Sequence, residues 1–572
     1  MINRDNEALE ITLDKLARGG LDRRRFLEVA GSFGLIASLN AAGLDQALAA
    51  SETQQANRAR IRDSYEYVVV GAGTAGCILA AGLAEAGADV LLVEAGGSDN
   101  LRRIRTPGMW FTNVGGERDW HMHTAPSRYL AGRRAPVSAG RVLGGGGSIN
   151  AMAWVRGLAS DFDGWSAGGC SGWSFEDLLP IFKRIEDWQG GANAWRGTGG
   201  PVSIITSSAP HPTARAFREA ARDMGMPVRD DLNAPMREGA GYLNLNITKQ
   251  GTRASTARCF LRPALARSNL TLLLDKQVTK LAFVGSRCTG ATILDERGGL
   301  RTISATREVL VTSGGIGSAK LLMLSGIGNA DDLRPQGVKM VADLKGVGQN
   351  LQDHALLLGV VLSYKGKMPP ISPISNAGEV AAFVRSSKAG TEPDLEILTS
   401  EYPAATPEIR GKFGAPPAGA FTVAASCIRP TSRGTVRLQN KDWRTLPVID
   451  GAYLATEHDL DVAAEGIELA RELGRQKGFD EIRVAELIPG QKLDKDALRD
   501  FVRNAAISFG HSAGTCRMGR GTDAVVDPEL RVHGIDGLRV CDSSIMPTIV
   551  SGPTNAATHV IASKSLDMIT AR

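Results

Sequence analysis

The chain has 572 residues, of which 43% are hydrophobic and 22% charged, with a formal net charge of +5. A single hydrophobic core stops growing at about 250–300 residues, so this length calls for two structural domains or one very large composite one. The balance excludes a disordered chain, a collagen-like one and a multi-span membrane protein, and the dispersed charge argues against a nucleic-acid partner.

The N-terminal stretch reads as an address. Residues 22–28 are Asp-Arg-Arg-Arg-Phe-Leu-Glu, followed by a modest apolar run from Val29 to Ala42 that Gly31, Ser32 and Gly34 dilute. The run ends near Ala47-Leu48-Ala49, a small-x-small cleavage pattern. Paired arginines before a weakly apolar segment resemble a twin-arginine export signal, which implies the twin-arginine machinery as a partner. Cleavage near Ala49/Ala50 would leave a periplasmic or otherwise exported enzyme. The run is too short for a membrane span of about 20 residues, so no transmembrane span is expected. Residues 1–50 are therefore set aside from the fold. The seven cysteines (77, 170, 259, 288, 427, 516 and 541) show no CxxC spacing, so no metal site is expected and no disulfide can be assigned.

The next segment is a βαβ unit. Tyr65–Val70 predicts a strand, Gly71-Ala72-Gly73-Thr74-Ala75-Gly76 a glycine turn, and Cys77–Ala86 a helix. Val90–Val93 predicts a second buried strand ending at Glu94. Gly71 permits the tight turn, Gly73 lets backbone N–H groups reach a pyrophosphate, and Gly76 lets the helix pack on the strand. Thr74 and Ala75 lie at the helix N-terminus that faces the phosphate, and Glu94 is placed to meet ribose hydroxyls. This is a dinucleotide site, and the motif alone does not separate FAD from NAD.

Three later segments point to FAD. Gly140–Asn150 is a second glycine loop with four glycines in succession, Gly144–Gly147, suited to lying flat against a flat ligand. Gly534–Asp542 ends a strand on an acid, and Gly552-Pro553-Thr554-Asn555 opens a helix to about Leu566. With Asn150, Trp154, Gly157 and Asp163, and the stretches 314–328, 344–354, 430–438 and 447–454, the chain resembles the glucose–methanol–choline oxidoreductase family over residues 64–570.

The resemblance implies an α/β fold, an α+β composite: a Rossmann-type FAD-binding domain with an interleaved antiparallel-sheet substrate domain. The FAD domain is read as residues 64–157, 250–345 and 505–572, and the substrate domain as 158–249 and 346–504. Within the latter, 353–365, 391–400, 418–428 and 434–439 read as strands and 456–474 as a helix. The resemblance sets Gly71, Gly73, Gly76 and Glu94 by the AMP part, and Val278 by the adenine. Arg141, Gly145, Ser148, Asn150 and Ala151 fall by the flavin, and Asp542 and Asn555 near the ribityl chain and ring. Residues 137–140 are Val-Ser-Ala-Gly, without the histidine that links FAD in some members, so the FAD is expected to be noncovalent.

Flavin oxidation of an alcohol needs an acceptor for the hydroxyl proton. His511, in Ser508–Gly519, matches the family's catalytic histidine segment, although Ser512 replaces the common proline. Asn555 is read at the family's second active-site position, where it would hydrogen-bond the substrate oxygen. His354 reads as structural. The expected activity is alcohol oxidation by an exported dehydrogenase passing electrons to a quinone or cytochrome. Oxygen as acceptor, or a lyase or photodecarboxylase on the same fold, is the alternative. The substrate is a small-molecule alcohol that the sequence does not name; the Pro-rich loops 366–376 and 402–418 are candidates to cover it.

Overall fold

The computed structural model describes residues 41–235, 237–295 and 298–571. The arginine cluster at Arg23, Arg24 and Arg25, and the apolar stretch as far as Asn40, lie outside the described residues. The first described element is a helix, Ala41–Ala59, which runs through the expected cleavage pattern. It docks through Gln54, whose Nε2 donates to the carbonyls of Leu265 (2.9 Å) and Leu270 (2.7 Å). No helix among the described residues is long and apolar enough to cross a membrane.

The βαβ unit forms as predicted. Ser64–Val70 pairs in parallel with Val90–Val93 on one side and with Leu300–Val311 on the other. These strands lie in a seven-stranded sheet that adds Leu270–Leu273, Val278–Val284, Arg287–Leu294 and Leu538–Val540. Val68, Val69, Leu91 and Leu92 have no exposed surface, which is why the strands read as unbroken apolar runs. The parallel strands ending at Val70, Val93, Val311 and Val540 present their C-terminal ends side by side. Gly71, Glu94, Thr312 and Asp542 follow those ends directly or within two residues, the edge where open α/β sheets bind ligands.

A second, eight-stranded sheet holds, in order, Arg483–Ile488, Ala355–Tyr364, Ala420–Cys427, Leu395–Ser400, Val380–Val384, Gly239–Tyr242 and Val228–Arg229. Ala506–Ser508 joins it against Ala355–Leu357. One face, with Leu357, Ala382, Ile397 and Ala425, packs with Leu460, Ala463, Ile467 and Ala470 of the helix Glu457–Arg475. The other face brings Ala381, Phe383 and Leu398 onto Met152 and Val155, beside the nucleotide-binding half. The strands expected at 353–365, 391–400 and 418–428 are these central strands.

The two cores divide the chain differently from the predicted segments. Phe162, Trp165, Trp173 and Phe182, placed by sequence in the substrate half, belong to the core of the first sheet. The reason is local: the helix Phe175–Ile185 buries Leu178, Ile181, Phe182 and Ile185, and Arg184 beside them pairs with Asp567 of the C-terminal helix. The strand expected at 434–439 is a short ribbon, Thr435–Arg437 with Val448–Asp450, and its Val436 and Ile449 enter the same core. Conversely Ala506–Ser508, assigned to the FAD half, completes the second sheet.

Between the halves lies a buried ionic network. Glu186 accepts from Trp154 Nε1 (2.7 Å), Arg156 Nε (2.8 Å) and Arg196 Nε (2.9 Å), and Arg196 reaches Asp231 (2.8 Å) and Asn244 (2.9 Å). Burial opposes ionisation of Glu186, but the two guanidiniums outweigh it and hold its pKa below the usual carboxyl value. Glu186→Ala strands two buried cations, and should lower the stability of the holoprotein by about 3–5 kcal/mol. Thermal unfolding checks this; a midpoint shifted by less than a degree would remove the network from its structural role.

Candidate active site

The first glycine turn is built as a close approach. Gly71 has φ +99°, and a Cβ on Gly76 would lie 1.9 Å from the Gly71 carbonyl oxygen, so the helix Thr74–Glu85 can start against the strand only through glycine. Glu94 turns back on the turn: its Oε2 accepts from Ala72 N–H (2.9 Å) and its Oε1 from Gly96 N–H (2.8 Å). Burial pushes Glu94 up to about 7 against the pull of those two N–H groups. Ala75 is buried against Ile78 and Ala562. Lys276 N–H donates to the Glu94 carbonyl, which sets the segment leading to Val278 beside the acid.

The second glycine loop lies on the first. Gly145 has φ +55°, and its missing Cβ would sit 2.8 Å from Gly73 Cα. Ser148 Oγ donates to the Leu143 carbonyl (2.6 Å), and Asn150 Oδ1 accepts from Arg253 (2.7 Å) and Met152 N–H (3.1 Å). The Ala151 carbonyl accepts from Asn376 Nδ2 (2.9 Å), which ties the 366–376 region to this loop. Arg141 is exposed, with its guanidinium 5.2 Å from the centre of the Trp120 ring. Asp542 caps the helix Gly314–Leu324: its Oδ2 accepts from Gly314 N–H (2.8 Å) and Ser318 Oγ (2.5 Å).

Asn555 is placed with these loops. Its Oδ1 accepts from Thr74 Oγ1 (2.9 Å), and a Cβ on Gly147 would come within 3.6 Å of it. Its Nδ2 is buried without a hydrogen-bond partner among the described residues. Its oxygen is thus committed to the first glycine turn, and its amide nitrogen is the atom left to meet a bound molecule. Two touching glycine loops, an inward-facing acid and an orphaned buried amide fit an FAD dinucleotide.

The residue that meets His511 is His354. Their Nδ1 atoms are 2.9 Å apart, with the rings edge-on. Phe509 stacks on the His511 ring at 4.5 Å. Asp353 pins the loop from behind: its Oδ1 accepts from His511 N–H (2.9 Å), and its Oδ2 from Tyr453 Oη (2.7 Å) and Ser508 Oγ (2.5 Å). Burial, then the neighbouring His354, hold His511 well below the usual imidazole value. Burial takes His354 down to about 3. The loop abuts the flavin segments: Ser543 Oγ donates to the Ser512 carbonyl (3.0 Å), and a Cβ on Gly510 would face the Ser138 carbonyl at 3.6 Å. His354 was legible only as a neighbour of the Asp353 motif; the pairing arises because Ala355–Leu357 and Ala506–Ser508 are adjacent strands. Among the described residues no group of three or more His, Cys, Asp or Glu side chains could hold a metal ion. All seven cysteines are free thiols.

Comparison with known proteins agrees with this geometry. Family models of the N- and C-terminal parts of GMC oxidoreductases match residues 65–356 and 430–562. The chain is 37% identical over 566 residues to the mitochondrial choline dehydrogenase of Homo sapiens, covering 92% of this chain and 93% of that protein. It is 38% identical over 536 residues to an oxygen-dependent choline dehydrogenase of Brucella ovis, covering 89% and 96%. Among solved structures it resembles pyridoxine 4-oxidase from Mesorbium loti, with TM-score 0.84, 33% identity, and 89% and 99% coverage. Formate oxidase from Aspergillus oryzae superposes with TM-score 0.82 at 26% identity, covering 89% and 98%. The fold, the paired glycine loops and these matches agree: the chain belongs to the GMC oxidoreductase family, an FAD-dependent oxidoreductase acting on alcohols.

Proposed function

We propose that the protein is an alcohol dehydrogenase in which His511 takes the hydroxyl proton of the substrate. The His354–His511 pairing carries this reading. Two facing Nδ1 atoms at 2.9 Å share one proton, so one ring donates and the other accepts. The proton of this contact is proposed to sit on His511 Nδ1; among the described residues His354 Nε2 has no hydrogen-bond partner. His354 Nδ1 is then the acceptor and His511 Nδ1–H the donor. That tautomer leaves the Nε2 lone pair of His511 free to accept a proton. Bound FAD would supply the two-electron oxidant that takes the carbinol hydride. The chain's own part is to hold the imidazole by Asp353, Phe509 and His354, and to keep it neutral by burial.

The sign of the pH dependence follows. A base held well below 6.5 is unprotonated through the neutral range, so the rate of anaerobic flavin reduction should be flat above that value. It should fall only on acidification, as proton uptake fills the lone pair. Stopped-flow reduction at saturating alcohol from about pH 5 to 9 checks this; a rate still climbing above about pH 8 would assign the base to another group.

The FAD is proposed to be noncovalent, since residues 137–140 offer no histidine for linkage; heat or acid should release all the yellow colour from the protein. The acceptor is proposed to be a quinone or cytochrome of the cell envelope, in keeping with Arg23–Arg25 and the small-x-small pattern at Ala47–Ala49. Export rests on those residues, and N-terminal sequencing of protein from the periplasmic fraction tests it, with a mature end near Ala50 expected. Turnover with a quinone analogue under argon, and little peroxide under air, is the expected acceptor profile. Choline, the substrate named for the relatives, belongs in the first substrate panel beside simple primary alcohols.

A further inference from the structure

The face of the second sheet that meets the nucleotide-binding half carries a buried acid, one of whose oxygens has no hydrogen-bond partner among the described residues. Glu396 is directly opposite Phe383 on one neighbouring strand and Ser426 on the other. Ser426 is in turn opposite Leu356. Residues opposite each other across a ladder share a face, so Leu356, Ser426 and Glu396 line one surface, and His354, which immediately precedes the strand, lies at its end. Phe383 and Leu398 fix the direction of that surface by packing on Met152 and Val155.

Glu396 is 2% exposed and Ser426 is fully buried, yet among the described residues Glu396 Oε2 and Ser426 Oγ have no hydrogen-bond partner. Ser400 Oγ, four residues along the same face, also lacks one. The nearest cation does not quench the acid: Arg237 sits over the Phe383 ring and sends Nε, Nη1 and Nη2 to the carbonyls of Leu232, Ser551 and Gly157. Leu356 and Leu398, on the same face, stay partly exposed although they lie on interior strands, so packing does not close the face beside Glu396 completely. Two strand spacings across and two residues along put the Cα atoms of His354 and Glu396 roughly 12 Å apart. Side chains of this length narrow that gap to the span of a short carbon chain.

We infer that Glu396, backed by Ser426, determines substrate specificity by accepting a hydrogen bond from a donor at the far end of the alcohol. The inference rests on the alcohol oxidation proposed above and names its substrate class: short-chain alcohols with a second hydroxyl or a protonated amine. A quaternary ammonium has no N–H or O–H to give and gains nothing at this point.

The test is anaerobic reduction of the holoenzyme's flavin by matched pairs: a terminal diol or amino alcohol against the straight-chain mono-alcohol of equal length, and dimethylaminoethanol against choline. The wild-type chain should prefer the donor-bearing member by about 100-fold or more in kcat/KM. In Glu396→Leu that ratio should collapse to within about threefold of unity. Glu396→Gln keeps an acceptor and the shape, and should retain the diol preference while losing that for the ammonium. A wild-type ratio near unity overturns the inference, as does an unchanged ratio in Glu396→Leu. If the leucine variant does not accumulate, an unchanged amino-alcohol preference in Glu396→Gln overturns it equally. A flavin that no alcohol reduces brings down the alcohol-oxidation reading and this inference with it, whereas reduction without donor preference brings down this inference alone.

Discussion

His511→Ala should purify yellow and reduce its flavin with alcohol more than about a hundredfold more slowly than the parent chain. The imidazole touches His354 and Phe509, while its backbone N–H is what Asp353 holds. Truncation removes the ring without releasing the loop. Among the described residues no hydrogen bond links the ring to the glycine turns at 71–76 and 144–150, so cofactor content should be unaffected. The rate loss should also come with loss of the acid limb in the pH profile, because that limb belongs to the missing ring. Stopped-flow reduction, with flavin content measured on the same sample, is the check. Reduction at the parental rate would move the proton acceptor elsewhere, with His354 next in line.

Gly145→Val should yield protein with less than about a tenth of the parental flavin. Gly145 is left-handed at φ +55°, a conformation that costs a β-branched residue at least about 1–2 kcal/mol. The larger cost is steric: a Cβ there stands 2.8 Å from Gly73 Cα, backbone against backbone, with no flexible side chain to yield. The two loops must part, and they are the loops that would grip the dinucleotide. Gly411→Ala is the control, an exposed helical glycine with nothing within 4 Å of its would-be Cβ. Flavin-to-protein absorbance ratios read the outcome. Full occupancy in Gly145→Val would mean that the contact between the loops is not what shapes the site.

How much of this was legible in the sequence depended on the range of the interaction. Gly71, Gly76 and Glu94 could be read because each answers a demand made within one βαβ unit. His511 could be read from its motif. His354 could not, since its partner arrives through strand pairing between segments 157 positions apart. Asn555 was visible as the start of a helix, but its engagement with Thr74 spans 481 positions, and no local pattern encodes it. Glu396 was harder still: a single acid in an apolar strand reads as noise until its register shows which way it faces. The domain borders slipped for a related reason, because Phe162 and Trp165 are apolar enough for either core and only the packing of neighbouring helices selects one.

The first sheet has a consequence for how the chain must be born. Ser64–Val70 waits for Leu300–Val311 as its neighbour, and that strand receives Leu538–Val540 on its other side. Pairings this distant in sequence make for slow, high-contact-order folding. A ribosome would have released nearly the whole polypeptide before the nucleotide edge was complete. Capture of the dinucleotide is then a post-translational event, and a nascent chain stalled before residue 538 should bind no flavin at all.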